Sequence, residues 1–220
     1  MPAKTRSRLG LTIRPVTPER WPDLERLFGA RGACGGCWCM TPRLPRAEYE
    51  RQKGEGNRLA LRALVDGGTI PGVLAYLEGQ PVGWCSIEPR AAFSALARSR
   101  ILQPLDDQPV WSIVCLFIAR EHRGKGVSTA LIYGAAAYAR SRGARIVEAY
   151  PVEPKTNPMP AVFAYTGIAS AFRKAGFVEV ARRSETRPIM RRVLRAKRRE
   201  EPPTVTRRGQ MPINTTAPVR

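Results

Sequence analysis

Two glycines and a cluster of basic side chains stand between an apolar segment and a helix-forming segment in the middle of the chain. The glycines of residues 120–128 are Gly124 and Gly126, and the basic residues are Arg120, His122, Arg123 and Lys125. The N–H groups in the first turn of a helix have no partner within that helix, and they lie at the positive end of its dipole. Glycine allows the main chain to approach a ligand closely. This spacing therefore predicts an anion site, typically for phosphate or pyrophosphate.

The segments on either side of this loop predict the elements that would position it. Residues 111–119 are apolar, aromatic or β-branched and carry no charge, which is typical of a central buried strand. Residues 128–142 predict a helix that ends at Gly143. The spacing of the glycines excludes a Walker loop. A dinucleotide fingerprint is also excluded, because it needs glycine where the chain has Thr129.

The strand and its loop resemble motif A of the GNAT superfamily of acetyl-CoA-dependent N-acetyltransferases. The usual form of that motif is Arg/Gln-x-x-Gly-x-Gly/Ala after the fourth strand, and residues 123–128 fit it except that Ser128 replaces the last Gly or Ala. Residues 170–177 are similar to the late helix of the family, which ends in Gly-Phe. The turn at residues 78–84 is a third, weaker similarity. These landmarks occur in the order of the family and cover roughly residues 10–194.

The resemblance implies an α/β (α+β) protein with the GNAT fold. Such a fold has a central mixed, mostly antiparallel, twisted sheet of six to seven strands flanked by helices, with a V-shaped splay after strand four. Residues 1–194 are predicted to form this domain, and residues 195–220 a basic disordered tail, because the tail has almost no apolar content. The pattern along the chain predicts strands at 10–15, 70–77, 81–87, 111–119, 144–150, 176–181 and 188–194. It predicts helices from 17, at 46–66 with a break near 54–56, and at 91–99, 128–142 and 168–175.

The same resemblance implies acetyl-CoA as co-substrate and assigns residues to it. The main chain of Phe117, Ile118 and Ala119 would hold the pantetheine arm. The pyrophosphate would be held by Arg123, Gly124, Lys125, Gly126, Val127 and Ser128. An alternative for Arg123 and Lys125 is that they are solvated loop charges.

The residues that carry protons are less clear from the sequence. Acetyl transfer to an amine needs a neutral amine and a proton donor for the departing thiolate. Many family members have a Tyr four residues before the late Gly-Phe, but this chain has Phe172, and its predicted central strand has no carboxylate. Strand periodicity places Glu148 and Tyr150 on one face. In the layout of the family that strand ends beside the thioester, so Glu148 is the candidate base and Tyr150 the candidate acid. The alternative is a surface Glu and a packed Tyr, and Tyr165 and Ser170 are weaker substitutes.

A group of cysteines follows the first predicted helix. Cys34, Cys37 and Cys39 have a spacing that could hold zinc if Cys85 or Cys115 completed the ligand set. The sequence supplies no adjacent fourth ligand, so zinc is not favoured. The alternatives are unliganded structural thiols, a redox role, direct thiol chemistry, or a shaped loop in which Trp38 stacks on a substrate. An odd number of cysteines, five, argues against a disulfide framework and for reduced thiols.

Charge and composition limit the class of partner. The 220 residues include 37 Lys and Arg against 18 Asp and Glu, a formal net charge of +19, which favours anionic partners. No apolar run is long enough for a signal peptide or a membrane span, so a cytoplasmic protein is expected. The basic tail would be a solvated extension, with nucleic-acid binding as a less favoured alternative. A homodimer is compatible with the sequence.

Three functions from different classes fit these observations. The first is acetyl transfer from acetyl-CoA to a primary amine, which could belong to a small molecule or to a protein. The second is a GNAT-like binding protein that senses acyl-CoA or a metal with little turnover, since the usual Tyr and strand carboxylate are missing. The third is nucleic-acid binding through the basic surface.

Overall fold

A seven-stranded sheet forms the centre of the protein in the computed structural model, which describes residues 10–154 and 160–194. Its strands in chain order are β1 (Thr12–Pro15), β2 (Gly72–Leu77), β3 (Gln80–Pro89), β4 (Trp111–Ile118), β5 (Ile146–Ala149), β6 (Val178–Arg182) and β7 (Pro188–Val193). They lie in the order β1-β2-β3-β4-β5-β7-β6. Every neighbouring pair is antiparallel except β4 and β5, which are parallel. The predicted mixed, mostly antiparallel sheet is confirmed.

Helices cover both faces of this sheet. They are α1 (Trp21–Phe28), α2 (Arg46–Arg51), α3 (Glu55–Asp66), α4 (Ser94–Arg98), α5 (Val127–Ser141) and α6 (Ala169–Lys174). The apolar sides of α5 and α6 pack on one face of the sheet, and those of α1 and α3 pack on the other. At Gly134 of α5 an added Cβ would lie 2.4 Å from Cγ1 of Ile13. Glycine therefore lets α5 lie close against β1.

The predicted element boundaries agree with these bounds to within a few residues at most ends. The predicted break in the helix at residues 46–66 separates α2 from α3, where Gly54 has a φ of +89°. The predicted tail at residues 195–220 lies outside the described residues. Among the residues that the structure describes, no helix is both long enough and apolar enough to span a membrane.

A bulge interrupts the pairing of β3 with β4. Ser86 lies opposite Cys115, but the next pair joins Ile87 to Ile113, so Val114 has no partner. An extra residue of this kind bends its strand and increases the local twist. The bulge therefore turns the second half of β4 away from the direction of its first half.

The same position marks the place where β4 and β5 separate. Their register ends with Ile113 opposite Ala149, and Pro151 follows soon after β5. Farther along β4, the N–H of Leu116 donates instead to the main-chain oxygen of Tyr165 at 2.6 Å. The two parallel strands thus form the V-shaped splay that the resemblance implied.

Candidate active site

The glycine loop connects the open end of β4 to the start of α5. Gly124 and Gly126 have φ values of +73° and +80°, in the left-handed region that favours glycine. Gly126 directly precedes α5, and its carbonyl accepts the first helical bond from the N–H of Ala130 at 3.2 Å. Val127 is buried in the core and fixes the helix start, whereas residues 123–126 are exposed. The loop therefore places two glycines in left-handed conformations directly before a fixed helix N-terminus.

The two cations of this loop differ in their contacts. The Nε of Arg123 donates to the main-chain oxygen of Ile118 at 3.0 Å, which ties the loop back to the end of β4. Lys125 is exposed. Neither side chain forms an ion pair with a residue in the described parts of the chain. Both charges therefore remain available to an anion at the start of α5.

The main chain at the end of β4 alternates between two directions. The N–H of Ala119 donates to the oxygen of Val82 at 3.0 Å, so the main chains of Ala119 and Phe117 point toward β3. By the same alternation, Leu116 and Ile118 direct their N–H and C=O groups into the splay. Of the three predicted arm-binding residues, only Ile118 has this direction. Leu116, which was not among the predicted residues, shares this direction, as the period of two along the strand could have indicated.

The predicted catalytic pair lies together but is deeply buried. Glu148 and Tyr150 are each 1% exposed, and the Tyr150 hydroxyl donates to Oε1 of Glu148 at 2.5 Å. The same carboxylate oxygen accepts from Nη1 of Arg90 at 3.2 Å, and its Oε2 accepts from Nε of Arg191 at 2.7 Å. Both oxygens of Glu148 are therefore engaged by guanidinium groups.

These contacts are part of a row of buried polar side chains that crosses four strands, which we call the polar row. Glu88 of β3 lies beside Ser112 of β4, Ser112 beside Glu148 of β5, and Glu148 beside Arg191 of β7. All of these residues are less than a tenth exposed. Arg43 forms an ion pair with Glu88 at one end of the row. The row thus has two carboxylates, one on each side of Ser112, and an arginine at each end, and their charges compensate each other.

The polar row also holds the segment between α4 and β4 over the sheet. Arg191 forms a two-bond pair with Asp106, with distances of 2.5 and 3.1 Å to its carboxylate oxygens. Arg90 donates to the main-chain oxygens of Leu96 and Leu102 at 3.3 and 2.5 Å. The contacts of Arg90 and Arg191 link positions up to 85 residues apart, so no local sequence signal could have indicated them.

Burial and charge act on the acidity of these groups. Desolvation, together with the neighbouring Glu148 carboxylate, raises the pKa of Tyr150, so its phenol stays protonated in neutral solution. The hydrogen bond with Arg191 lowers the pKa of Asp106, and the same bond raises the pKa of Arg191. Tyr150 can therefore offer a protonated phenol, but this phenol lies beneath the surface of the protein.

More than half of the sequence matches a known protein family. The model of the acetyltransferase (GNAT) family matches residues 38–165, which is more than half of the chain. The chain belongs to this family. No curated protein matches the sequence.

Solved GNAT proteins share the fold of this acetyltransferase at low sequence identity. An acetyltransferase from Streptococcus agalactiae is 11% identical, with a TM-score of 0.53 over 87% of this chain and 99% of that one. One from Listeria monocytogenes is 12% identical, with a TM-score of 0.53 over 86% and 98%. PaiA N-acetyltransferase from Thermoplasma acidophilum, solved in complex with coenzyme A, is 14% identical, with a TM-score of 0.47 over 84% and 99%.

In this GNAT acetyltransferase the usual position of the tyrosine is part of the core. Phe172 is fully buried and packs edge to face on Phe177, with ring centroids 5.2 Å apart. A Cβ added at Gly167 would lie 2.6 Å from both Leu116 and Phe172, so these side chains meet beside the splay. The main chain of Tyr165 lies at the splay, and its side chain is 40% exposed. Ser170 lies exposed on α6.

The loop after α1 in this acetyltransferase is shaped around Trp38. Trp38 has a φ of +42° and is 6% exposed, and it stacks on Trp21 with ring centroids 6.0 Å apart. Most of its surface is therefore core rather than a platform for substrate. It borders a cleft of about 320 Å³ whose lining residues are Glu25, Gly29, Ala30, Trp38, Gly54, Glu55 and Arg58. Arg58 pairs with both glutamates, which leaves one net negative charge in the cleft.

The cysteines of the loop do not form a metal site. Within residues 10–154 and 160–194 there is no group of three or more Cys, His, Asp or Glu side chains arranged to hold a metal ion. Cys34 is exposed, whereas Cys39 is buried against Cys115 of β4. Cys85 is buried on the opposite face of the sheet, in the core beneath α5. The arrangement of the described residues therefore gives no support for the zinc ligand set considered from the sequence.

Proposed function

We propose that this acetyltransferase transfers an acetyl group from acetyl-CoA to a primary amine. The observation that carries the proposal is the continuity of two main-chain sites, the open edge of β4 and the glycine loop that follows it. The first suits the amide-containing pantetheine arm, and the second suits the pyrophosphate. The family assignment supports acetyl transfer in general, and this geometry supports the identity of the donor.

An extended arm can bind the edge of β4 as an added strand would, through main-chain hydrogen bonds. Ile118 directs its N–H into the splay, beside the oxygen that accepts from Arg123. The N–H of Leu116 is engaged by the Tyr165 carbonyl at 2.6 Å. If the pantetheine arm reached Leu116, an amide carbonyl of the arm would replace the Tyr165 carbonyl as the acceptor of the Leu116 N–H. The segment that carries Tyr165 would move away from β4 at that point.

At the start of α5 the loop offers several donors to a pyrophosphate. The N–H groups of Val127, Ser128 and Thr129 belong to the first helical turn, where no intrahelical acceptor exists. Nothing lies within 4 Å of the position that a Cβ at Gly124 would occupy, so the loop is open on that side. Arg123 and Lys125 add positive charge. This donor set matches the chemistry of a pyrophosphate group.

In the proposed reaction the amine nitrogen attacks the thioester carbonyl. A C–N bond forms, the C–S bond breaks, one proton leaves the nitrogen and the departing thiolate takes up a proton. The sequence made Glu148 the candidate base and Tyr150 the candidate acid. Because two guanidinium groups hold Glu148, we expect the pair to position the strands around the splay, with the amine proton passing to water.

The acceptor is a small-molecule amine or an amine of a protein. The net charge of +19 disfavours polycationic acceptors because like charges repel. The cleft beside Trp38 differs from the rest of this basic protein because it carries one excess negative charge. It could bind a single ammonium group, which would then lose its proton before it reacts.

Coenzyme A binding tests the site directly. Gly126→Asp should weaken coenzyme A binding at least about tenfold, because a carboxylate would lie at the start of α5 where the pyrophosphate is proposed to bind. Gly143→Asp is the matched control. It lies at the other end of α5, also has a positive φ of +91° and has open space around it.

The affinity of both variants can be measured by calorimetry, and their folding by thermal unfolding. The control should bind coenzyme A within about twofold of the wild type, since its charge lies a helix length from the site. Equal affinities for Gly126→Asp and Gly143→Asp would remove the glycine loop as the pyrophosphate site.

A further inference from the structure

We propose that Cys39 and Cys115 are an oxidation site, where a disulfide forms when the protein meets a hydroperoxide, with Cys37 as the thiol that reacts first. This covalent modification would join the loop after α1 to β4. It is independent of the acetyl donor and acceptor, and it concerns thiols that have no part in the proposed acetyl transfer.

The two sulfur atoms already lie close together. The Sγ of Cys39 is 3.0 Å from the Sγ of Cys115, and both residues are buried, although 76 positions separate them in the chain. A disulfide needs an S–S distance of about 2.05 Å. The sulfurs would therefore have to approach by only about 1 Å, a shift that side-chain rotation and a small loop movement can supply.

A third sulfur connects this buried pair with the surface. Cys37 is partly exposed, and its thiol lies beside that of Cys39, which raises its pKa. The Sγ of Cys37 also lies 3.6 Å from the main-chain oxygen of Gly32. The sulfurs of Cys37, Cys39 and Cys115 thus form a chain from the surface to β4, which we call the thiol chain. Cys34 is exposed and outside this chain.

Two features of its surroundings act on the Cys39 sulfur. The Nε1 of Trp84 donates to the Sγ of Cys39 at 3.0 Å, and such a donor stabilises developing negative charge on sulfur. Cys39 also has a φ of +53°, a left-handed conformation that is uncommon for residues other than glycine. Packing of the loop must therefore maintain this uncommon backbone conformation, which places the Cys39 sulfur against β4.

The oxidation can be written with all atoms balanced. The Cys37 thiolate attacks hydrogen peroxide, which breaks the O–O bond and gives a sulfenic acid and hydroxide. The Cys39 thiol attacks the sulfenic sulfur, so an S–S bond forms and water leaves. The Cys115 thiolate then attacks the Cys39 sulfur, and Cys37 departs as a thiolate that takes up a proton. Overall, two thiols lose two electrons and two protons, and one peroxide becomes two waters.

The resting thiols should react slowly at neutral pH. The hydrogen bond with Cys39 and burial raise the pKa of Cys37, and burial raises the pKa of Cys39. Only the thiolate attacks peroxide. Because the pKa of Cys37 is raised, its thiolate fraction is small and should increase about tenfold for each pH unit below that pKa. The rate of disulfide formation should increase in the same way between pH 7 and 9.

The disulfide should also stabilise the fold. It would close a chain segment of 76 positions, and a long closed segment restricts the unfolded chain strongly. The thermal midpoint should therefore increase by roughly 5 °C or more in the oxidised protein, and reduction by dithiothreitol should reverse this increase.

Peptide mapping of the full-length protein tests the proposal. After treatment with hydrogen peroxide, unreacted thiols are alkylated and the peptides are separated without reduction. The expected result is one cross-linked peptide pair that contains Cys39 and Cys115, with a fall from five free thiols to three. Cys37→Ser should slow its formation at least about tenfold, whereas the matched control Cys34→Ser should leave the rate unchanged.

Two outcomes would overturn the proposal. One is that Cys39 and Cys115 remain alkylated as free thiols while the protein is folded and peroxide has already oxidised Cys34. The other is that the only disulfide found joins Cys37 to Cys34 or Cys39. The wild-type map decides both, so the test holds even if a cysteine variant fails to fold.

Discussion

Replacing Glu148 with Gln should lower the free energy of unfolding by about 3–5 kcal/mol, which is the usual cost of removing one partner from a buried ion pair. Glu148 is 1% exposed, and its oxygens accept hydrogen bonds from Arg90, Arg191 and Tyr150. The amide keeps one acceptor oxygen but turns an NH₂ group toward a guanidinium. The buried Arg191 and the partly buried Arg90 would then have lost the charge that compensates them.

Urea unfolding, monitored by circular dichroism, measures this loss, and Asp106→Asn is the matched control. Asp106 pairs with the same Arg191, but its side chain is 37% exposed. The control should therefore cost no more than about 1 kcal/mol. A difference of less than about 1 kcal/mol between the variants would mean that Glu148 does not hold the polar row together.

Glu148→Gln and Tyr150→Phe separate a positioning role from a catalytic one. If Glu148 and Tyr150 position strands, then Glu148→Gln and Tyr150→Phe should lower turnover and keep the shape of the pH–rate profile. If Glu148 is the base, its replacement should remove the limb of the profile that reports deprotonation of that base. Loss of that limb with unchanged stability would favour catalysis.

Gly32→Ala should lower the free energy of unfolding by about 2–5 kcal/mol. A left-handed conformation costs an L-residue about 1–2 kcal/mol, and forced overpacking about 1–3 kcal/mol more. Gly32 has a φ of +57°, and an added Cβ would lie 2.2 Å from Nε1 of Trp38. Trp38 cannot easily move aside, because it packs between Trp21 and Phe28.

Gly29→Ala isolates the steric part of this effect. Gly29 has a φ of +63° and a ψ of −175°, a region essentially limited to glycine, but nothing lies within 4 Å of its added Cβ, so its loss of about 1–3 kcal/mol contains no steric contact. Urea unfolding of both variants gives the difference, and tryptophan fluorescence reports whether Trp38 has moved. Equal losses would show that contact with Trp38 contributes nothing to the shape of the loop.

The parts of the site that follow local rules could be predicted from the sequence. Gly124 and Gly126 were identified because an apolar strand, two glycines and a helix occur in direct succession. The broken helix at residues 46–66 was indicated by Gly54 and Gly56, and Gly54 has the positive φ that such a break needs. Local conformation and periodicity were sufficient in these cases.

The rest depends on contacts between distant positions. Glu148 was expected at the surface or at the thioester, because periodicity reports only the face of a strand. Its actual environment is set by Arg90 and Arg191, which lie 58 and 43 positions away. The bulge at Val114 is equally invisible to a periodic pattern, since it becomes evident only in the pairing with β3. Likewise, the contact of Cys39 with Cys115 required the fold, which brings the loop after α1 onto β4.

We propose that this protein acetylates a primary amine with acetyl-CoA at the splay between β4 and β5. Thioester consumption with acetyl-CoA and a panel of primary amines tests this, with each product identified by mass spectrometry and Gly126→Asp as the variant expected to bind acetyl-CoA more weakly. We predict an N-acetylated product with at least one amine, formed by the wild type and by Gly143→Asp but at least about tenfold more slowly by Gly126→Asp at subsaturating acetyl-CoA. Equal turnover by Gly126→Asp and the wild type would contradict the proposed role of the glycine loop. Binding of acetyl-CoA without product from any amine would contradict the proposed acetyl transfer.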